Sequence, residues 1–155
     1  MLGSRRRGKG GTDESGQAMA EFAIVAPVLL FVVFAIIKLG ILFNQYLILT
    51  DAVRSGARVL SISRGTADPC GTAQTRVKNS ASSLNPQLAI GTDIPTPTFP
   101  AGSGQNCGSS GGSGNALIAN QDATVTASYR CDLTIMGINY FPSCKLQASE
   151  TIRVE

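Results

Sequence analysis

The chain has 155 residues, a formal net charge of +3, four cysteines and no histidine or tryptophan. That length accommodates one modest domain beside a membrane segment, and so small a charge, scattered apart from Arg5, Arg6, Arg7 and Lys9, argues against nucleic-acid binding. Without histidine a cysteine lacks its usual activator, and without a CxxC spacing a zinc site lacks its usual ligands, so no catalytic residue, metal or cofactor is expected.

In chain order, Met1–Ser15 is polar, Gly-rich and charged and reads as a flexible leader (1–16). The run from Phe22 to Phe43, broken only by Lys38, follows it. At a helical rise its length is roughly 33 Å, enough to cross a hydrocarbon core of about 30 Å. Arginines and a lysine ahead of the run place the N-terminus in the cytoplasm and the remainder outside, by the positive-inside rule. Pro27 should bend the span, and Lys38 near its outer end reads as a snorkelling edge anchor.

No helix stop follows the span. Leu42, Tyr46, Leu49, Val53, Gly56 and Leu60 recur at steps of four and three, a seam suited to side-by-side helix packing that carries the helix to about Leu60. Ala52, Gly56 and Ala57 allow close backbone approach, while Gln45, Asp51, Arg54 and Arg58 mark the opposite face. The seam suits docking on the chain's own outer domain and packing on a partner subunit equally well.

The helix region is thus 17–62, and an extracytoplasmic α+β domain is expected over 63–155. Ala73, Val77, Ala81 and Leu84, behind the cap pair Asp68-Pro69, predict a short second helix within Thr66–Pro86. The Gly/Ser/Pro-rich stretch 91–115 reads as a long exposed loop stapled through Cys107. Alternation at Val125, Ala127, Tyr129 and Cys131, and again at Leu146, Ala148, Ile152 and Val154 with Glu150 out of pattern, predicts an antiparallel strand pair. Leu133, Ile135, Met136, Ile138, Tyr140 and Phe141 between those strands are too apolar for a solvated turn. They are expected to cover the inner helix; contact with the bilayer surface or a partner subunit is the sharper reading. All four cysteines follow the span, in the compartment where disulfides persist. Of three connectivities, Cys131–Cys144 flanking the hairpin with Cys70–Cys107 is favoured.

The stretch "SGQAMAEF" at 15–22 puts a carboxylate at the mouth of the apolar run. A cut between Gly16 and Gln17 would make Glu21 the fifth residue, on one helical face with the new amine, where the two charges can neutralise each other and fix axial register between bundled subunits. At these residues the chain resembles the type IV prepilin-like proteins. Over "GQAMAEFAIVAPVLLFVVFAIIKLGILFNQY" and "LTDAVRSGARV" it is similar to the TadE-like pseudopilins of the tight adherence (Tad/Flp) pilus machinery, whose A-x-R-x-G-A-R element is matched by Ala52, Arg54, Gly56, Ala57 and Arg58. Phe22 stands where the Flp-type pattern has Tyr, and Lys38 where the family has an acid.

The resemblance implies a minor pilin or pseudopilin without enzymatic activity, single-pass in the inner membrane and possible in a surface pilus. Processing falls after Gly16, with Glu21 and Phe22 as the assembly contact. The implied partners are a prepilin peptidase, other pilin or pseudopilin subunits, the inner-membrane platform and an assembly ATPase. The alternative is an unprocessed, membrane-anchored binding protein with a disulfide-stapled outer domain.

Overall fold

Fifty residues with no stop signal, Asp13–Ile62, form one α-helix, α1. The computed structural model describes residues 13–107, 117–135 and 137–155; the basic cluster at 5–9, most of the Gly/Ser run (108–115) and Met136 lie outside the described residues. One boundary differs from the sequence reading: Asp13–Ser15, taken there as leader, are already helical. At the other end α1 closes at Ile62, where Ser63 N–H turns back to the Leu60 carbonyl and the Ser63 hydroxyl to that of Val59. Gly65 then adopts a positive φ of 84°, which the exit turn requires. Pro27 lies inside the helix without ending it.

The chain forms two compact units, Met1–Leu39 and Gly40–Glu155. In the first, the described residues are all helical. Met19, Phe22, Ile24, Val28 and Leu29 are all exposed, and the most apolar window of the helix has no buried residue. Gly16–Ile62 is long and apolar enough to cross a membrane.

In the second unit the same helix acquires a buried face. Leu49, Ala52, Val53, Ala57 and Leu60 are at most 1% exposed, and Gly56 is buried with them. Helix α2, Pro69–Ser80, packs against this face. It starts where predicted: the Asp68 carboxylate accepts from Gly71 N–H at 2.9 Å and Pro69 occupies the first turn, where its missing N–H costs nothing. It ends earlier than the apolar period suggested. Ala81 and Leu84 are buried, but tight turns hold them, with Ser82 N–H on the Asn79 carbonyl and Leu84 N–H on that of Ala81. Ser80, Ser82, Ser83, Asn85 and Pro86 all favour turns over helix.

Strand β1, Asp122–Arg130, pairs antiparallel with β4, Lys145–Arg153, in a register that sets Ala127 opposite Ala148 and Arg130 opposite Lys145. Period-two alternation turns Ala123, Val125, Ala127 and Tyr129 into the core, where they join α1, α2, Ala148 and Val154. Glu150, the residue that broke the pattern in the sequence, occupies an inward position opposite Val125 and extends to Arg54 of α1 at 4.0 Å. The architecture is α+β.

The stretch from Gly91 to Cys107 is not the exposed loop its composition suggested. Ile94 is fully buried, its carbonyl accepts from the Gln74 amide at 3.0 Å, and Phe99 packs on the core. Thr98 exchanges both backbone hydrogen bonds with Thr124, adding a one-residue bridge to β1. Buried Gln105 donates to the Asp122 carbonyl and accepts from Ile118 N–H. Cys70 is bonded to Cys107 and Cys131 to Cys144, closing sequence separations of 37 and 13 residues. On chain-entropy grounds such loops stabilise by about 4 and about 3 kcal/mol.

The apolar connection between β1 and β4 also departs from expectation. It folds as a small hairpin, β2 (Thr134–Ile135) with β3 (Ile138–Asn139), in which Leu133 and Ile135 are half-buried. Ile138, Tyr140 and Phe141 are 60%, 47% and 63% exposed.

Gly56 marks the closest approach of α1 to α2. A Cβ there would lie 2.3 Å from Val77 Cγ2 and 3.1 Å from the Ala73 carbonyl oxygen, whereas one at Gly40 would meet nothing within 4 Å. Gly56→Ala is therefore expected to destabilise the Gly40–Glu155 unit by about 1–3 kcal/mol through overpacking. Gly40→Ala should be neutral or slightly stabilising. Thermal unfolding of the detergent-solubilised chain checks this, and an unchanged Tm for Gly56→Ala would contradict the packing.

Candidate functional site

In the N-terminal unit, Gly16, Gln17, Glu21 and Phe22 share the first turns of α1, and all four are exposed. Four residues apart on a helix, Gln17 and Glu21 face each other, and the Gln17 side-chain amide donates to Glu21 Oε1 at 3.2 Å. The carboxylate therefore has a donor on residue 17.

The fold gives no reason for glycine at position 16. Within a helix, Gly is less favourable than Ala by about 1 kcal/mol, and a Cβ at Gly16 would meet nothing within 4 Å. Neither a close approach nor a positive φ requires it. Gly56 is the contrast, since there the packing of α2 excludes a side chain.

The seam named in the sequence divides in two. Leu49, Ala52, Val53, Gly56, Ala57 and Leu60 are buried within the Gly40–Glu155 unit. Leu42 is half-buried and Tyr46 exposed; with Phe43 and Leu146 they line a small apolar depression. Only this first part of the seam keeps surface free for another molecule.

Arg54 and Arg58 lie one turn apart on the exposed side of α1. They share a groove with Asp51, Ser55, Val59 and Arg76 of α2. Arg76 Nε donates to the Ser55 hydroxyl at 2.8 Å, which holds the third guanidinium over the helix pair. Periodicity alone missed Arg76, because its place here follows from the close α1–α2 contact at Gly56. Three guanidiniums against Asp51, with Glu150 at the margin, give the groove a positive balance. The Arg54–Glu150 pair is largely solvated, so it contributes at most about 1 kcal/mol to folding.

The double variant Arg54→Gln/Arg58→Gln is accordingly expected to change the unfolding free energy by no more than about 1 kcal/mol. Chemical denaturation of the purified protein measures it. A larger loss would make the two arginines elements of folding rather than of a free surface.

No curated protein and no solved structure matches the chain. One family model does, and its match begins at Gly16, runs through the exposed span and the buried seam, and ends at Arg58. Over residues 16–58 the chain is similar to the TadE-like proteins.

Proposed function

We propose that the chain is a non-enzymatic minor pilin or pseudopilin of a Tad/Flp-type pilus, inserted in the inner membrane by α1 and cut between Gly16 and Gln17 by a prepilin peptidase. The observation that carries this reading is the unexplained glycine: Gly16 sits in a helix with open space around it, at a cost to helix stability, five residues before a carboxylate and at the first residue of the TadE-like match. A peptidase that must bring its own backbone against the scissile bond accounts for glycine where the fold does not.

After the cut, Glu21 serves as the assembly contact beside Phe22, neutralising the new amine of its own or a neighbouring subunit at the cytoplasmic edge of the bilayer. A charge there is costly unless paired, so the pairing sets the axial register of one helix against the next. The apolar surface from Phe22 to Phe43 packs on lipid or on the helices of other subunits and of the assembly platform. The outer unit stands beyond the membrane, an orientation supported by the basic cluster ahead of the span and by two disulfides after it.

Because a side chain at position 16 meets nothing in the folded protein, Gly16→Val separates processing from folding. The expected result is a full-length chain that accumulates in the membrane with an unchanged Tm for its outer unit and no pili. Glu21→Ala is expected to be processed normally yet to fail in assembly. Normal processing and piliation of the Gly16→Val protein would favour an unprocessed, membrane-anchored binding protein instead.

A further inference from the structure

The exposed hairpin between β1 and β4 lies at a defined end of the outer unit. Leu146, at the start of β4, shares a depression with Leu42, Phe43 and Tyr46; Glu150 meets Arg54; and Glu155 N–H donates to the Ser61 carbonyl at 3.1 Å. Strand and helix therefore run side by side in the same direction. The distances agree, since Leu42 to Ser61 spans about 28 Å of helix and Leu146 to Glu155 about 30 Å of extended chain. The hairpin thus sits level with the first residues that α1 contributes to this unit, immediately after the apolar run.

At that level the surface is apolar and aromatic. Ile138, Tyr140 and Phe141 project from the hairpin, and Phe43, Tyr46 and Leu47 are exposed on α1. Leu133, Tyr140, Phe141 and Pro142 line an open depression closed at one side by the Cys144 end of the Cys131–Cys144 bridge and by Lys145. Arg130 and Lys145 stand directly opposite one another on the outer face of the strand pair, both exposed. Like charges in that position oppose strand pairing, so the fold gains nothing by placing them there. The acid between them in sequence, Asp132, accepts from Thr134 N–H at 3.0 Å.

We propose that this hairpin is a membrane-surface contact: Ile138, Tyr140 and Phe141 enter the lipid interface while Arg130 and Lys145 meet anionic headgroups. Tyr and its neighbours suit the headgroup level, where one end of the side chain is apolar and the other wet. Lipid is favoured over a protein partner because Leu42 and Phe43, the last residues of the apolar run, lie at this end of the unit beside Leu146. The proposal rests on the reading of that run as a membrane span.

The chain has no tryptophan, so a single substitution gives a unique emitter. The full-length variants Phe141→Trp, Val28→Trp and Ile62→Trp, each at an exposed position, are reconstituted in phosphatidylethanolamine/phosphatidylglycerol vesicles with and without brominated acyl chains. Bromolipid is expected to quench Val28→Trp and Phe141→Trp, the latter with blue-shifted emission, and to leave Ile62→Trp unaffected. Adding Arg130→Gln and Lys145→Gln to Phe141→Trp should lower the ratio of docked to free hairpin by about 5-fold per cation removed. If Val28→Trp is quenched and Phe141→Trp is not, the hairpin contact is wrong and the span stands. A blue-shifted but unquenched Phe141→Trp would show a protein neighbour and overturn the lipid assignment. An unquenched Val28→Trp would remove the span and the hairpin contact together, and unchanged quenching in the glutamine variants would remove the role given to the cations.

Discussion

A helix with apolar side chains on every side, left uncovered among the described residues, calls for a solvent other than water. That constraint governs the protein. From Phe22 to Leu39 no residue is buried among the described residues, and backbone polarity is satisfied because the segment stays helical. The helix then has to leave that environment without losing its hydrogen bonds. It does so by continuing unbroken to Ile62 and exchanging an apolar surface all round for one buried stripe, Leu49 to Leu60.

The outer unit is small, and several devices supplement its core. Gly56 lets α2 approach α1 closely, where the small side chains Ala52, Ala57 and Ala73 keep the two helices in contact. One disulfide ties the start of α2 to the loop that follows, the other closes the hairpin base, and the buried amides of Gln74 and Gln105 donate to the Ile94 and Asp122 carbonyls. Little else in the unit explains its exposed features. Arg54 and Arg58 of the groove and Ile138, Tyr140 and Phe141 of the hairpin are all exposed.

The sequence made some of this legible and hid the rest, for physical reasons. The span and the seam could be read because periodicity and length are strong signals, and β1 and β4 because alternation survives on a strand with one buried face. The end of α2 was misread, since Ala81 and Leu84 keep the helical spacing while the serines and asparagines around them form turns. Composition misled at 91–107: a segment rich in Gly, Thr and Pro still inserts Ile94 and Phe99, and single anchors leave no period to detect. The hairpin at 133–141 was misread in the opposite sense, because apolar content suggested burial whereas the structure leaves Ile138 and Phe141 in the open. The third arginine of the groove had no local signal, since Arg76 reaches Ser55 across 21 positions of chain.

Gly16 and Glu21 stand apart from these cases, because folding leaves them unexplained and function is the only account offered. The measurement that bears on them most directly is the intact mass of the wild-type protein extracted from its native membrane, with sequencing of its N-terminus. A chain beginning at Gln17, free or cyclised, is the result the account predicts. A chain still carrying residues 1–16, in cells whose prepilin peptidase is active, would contradict it.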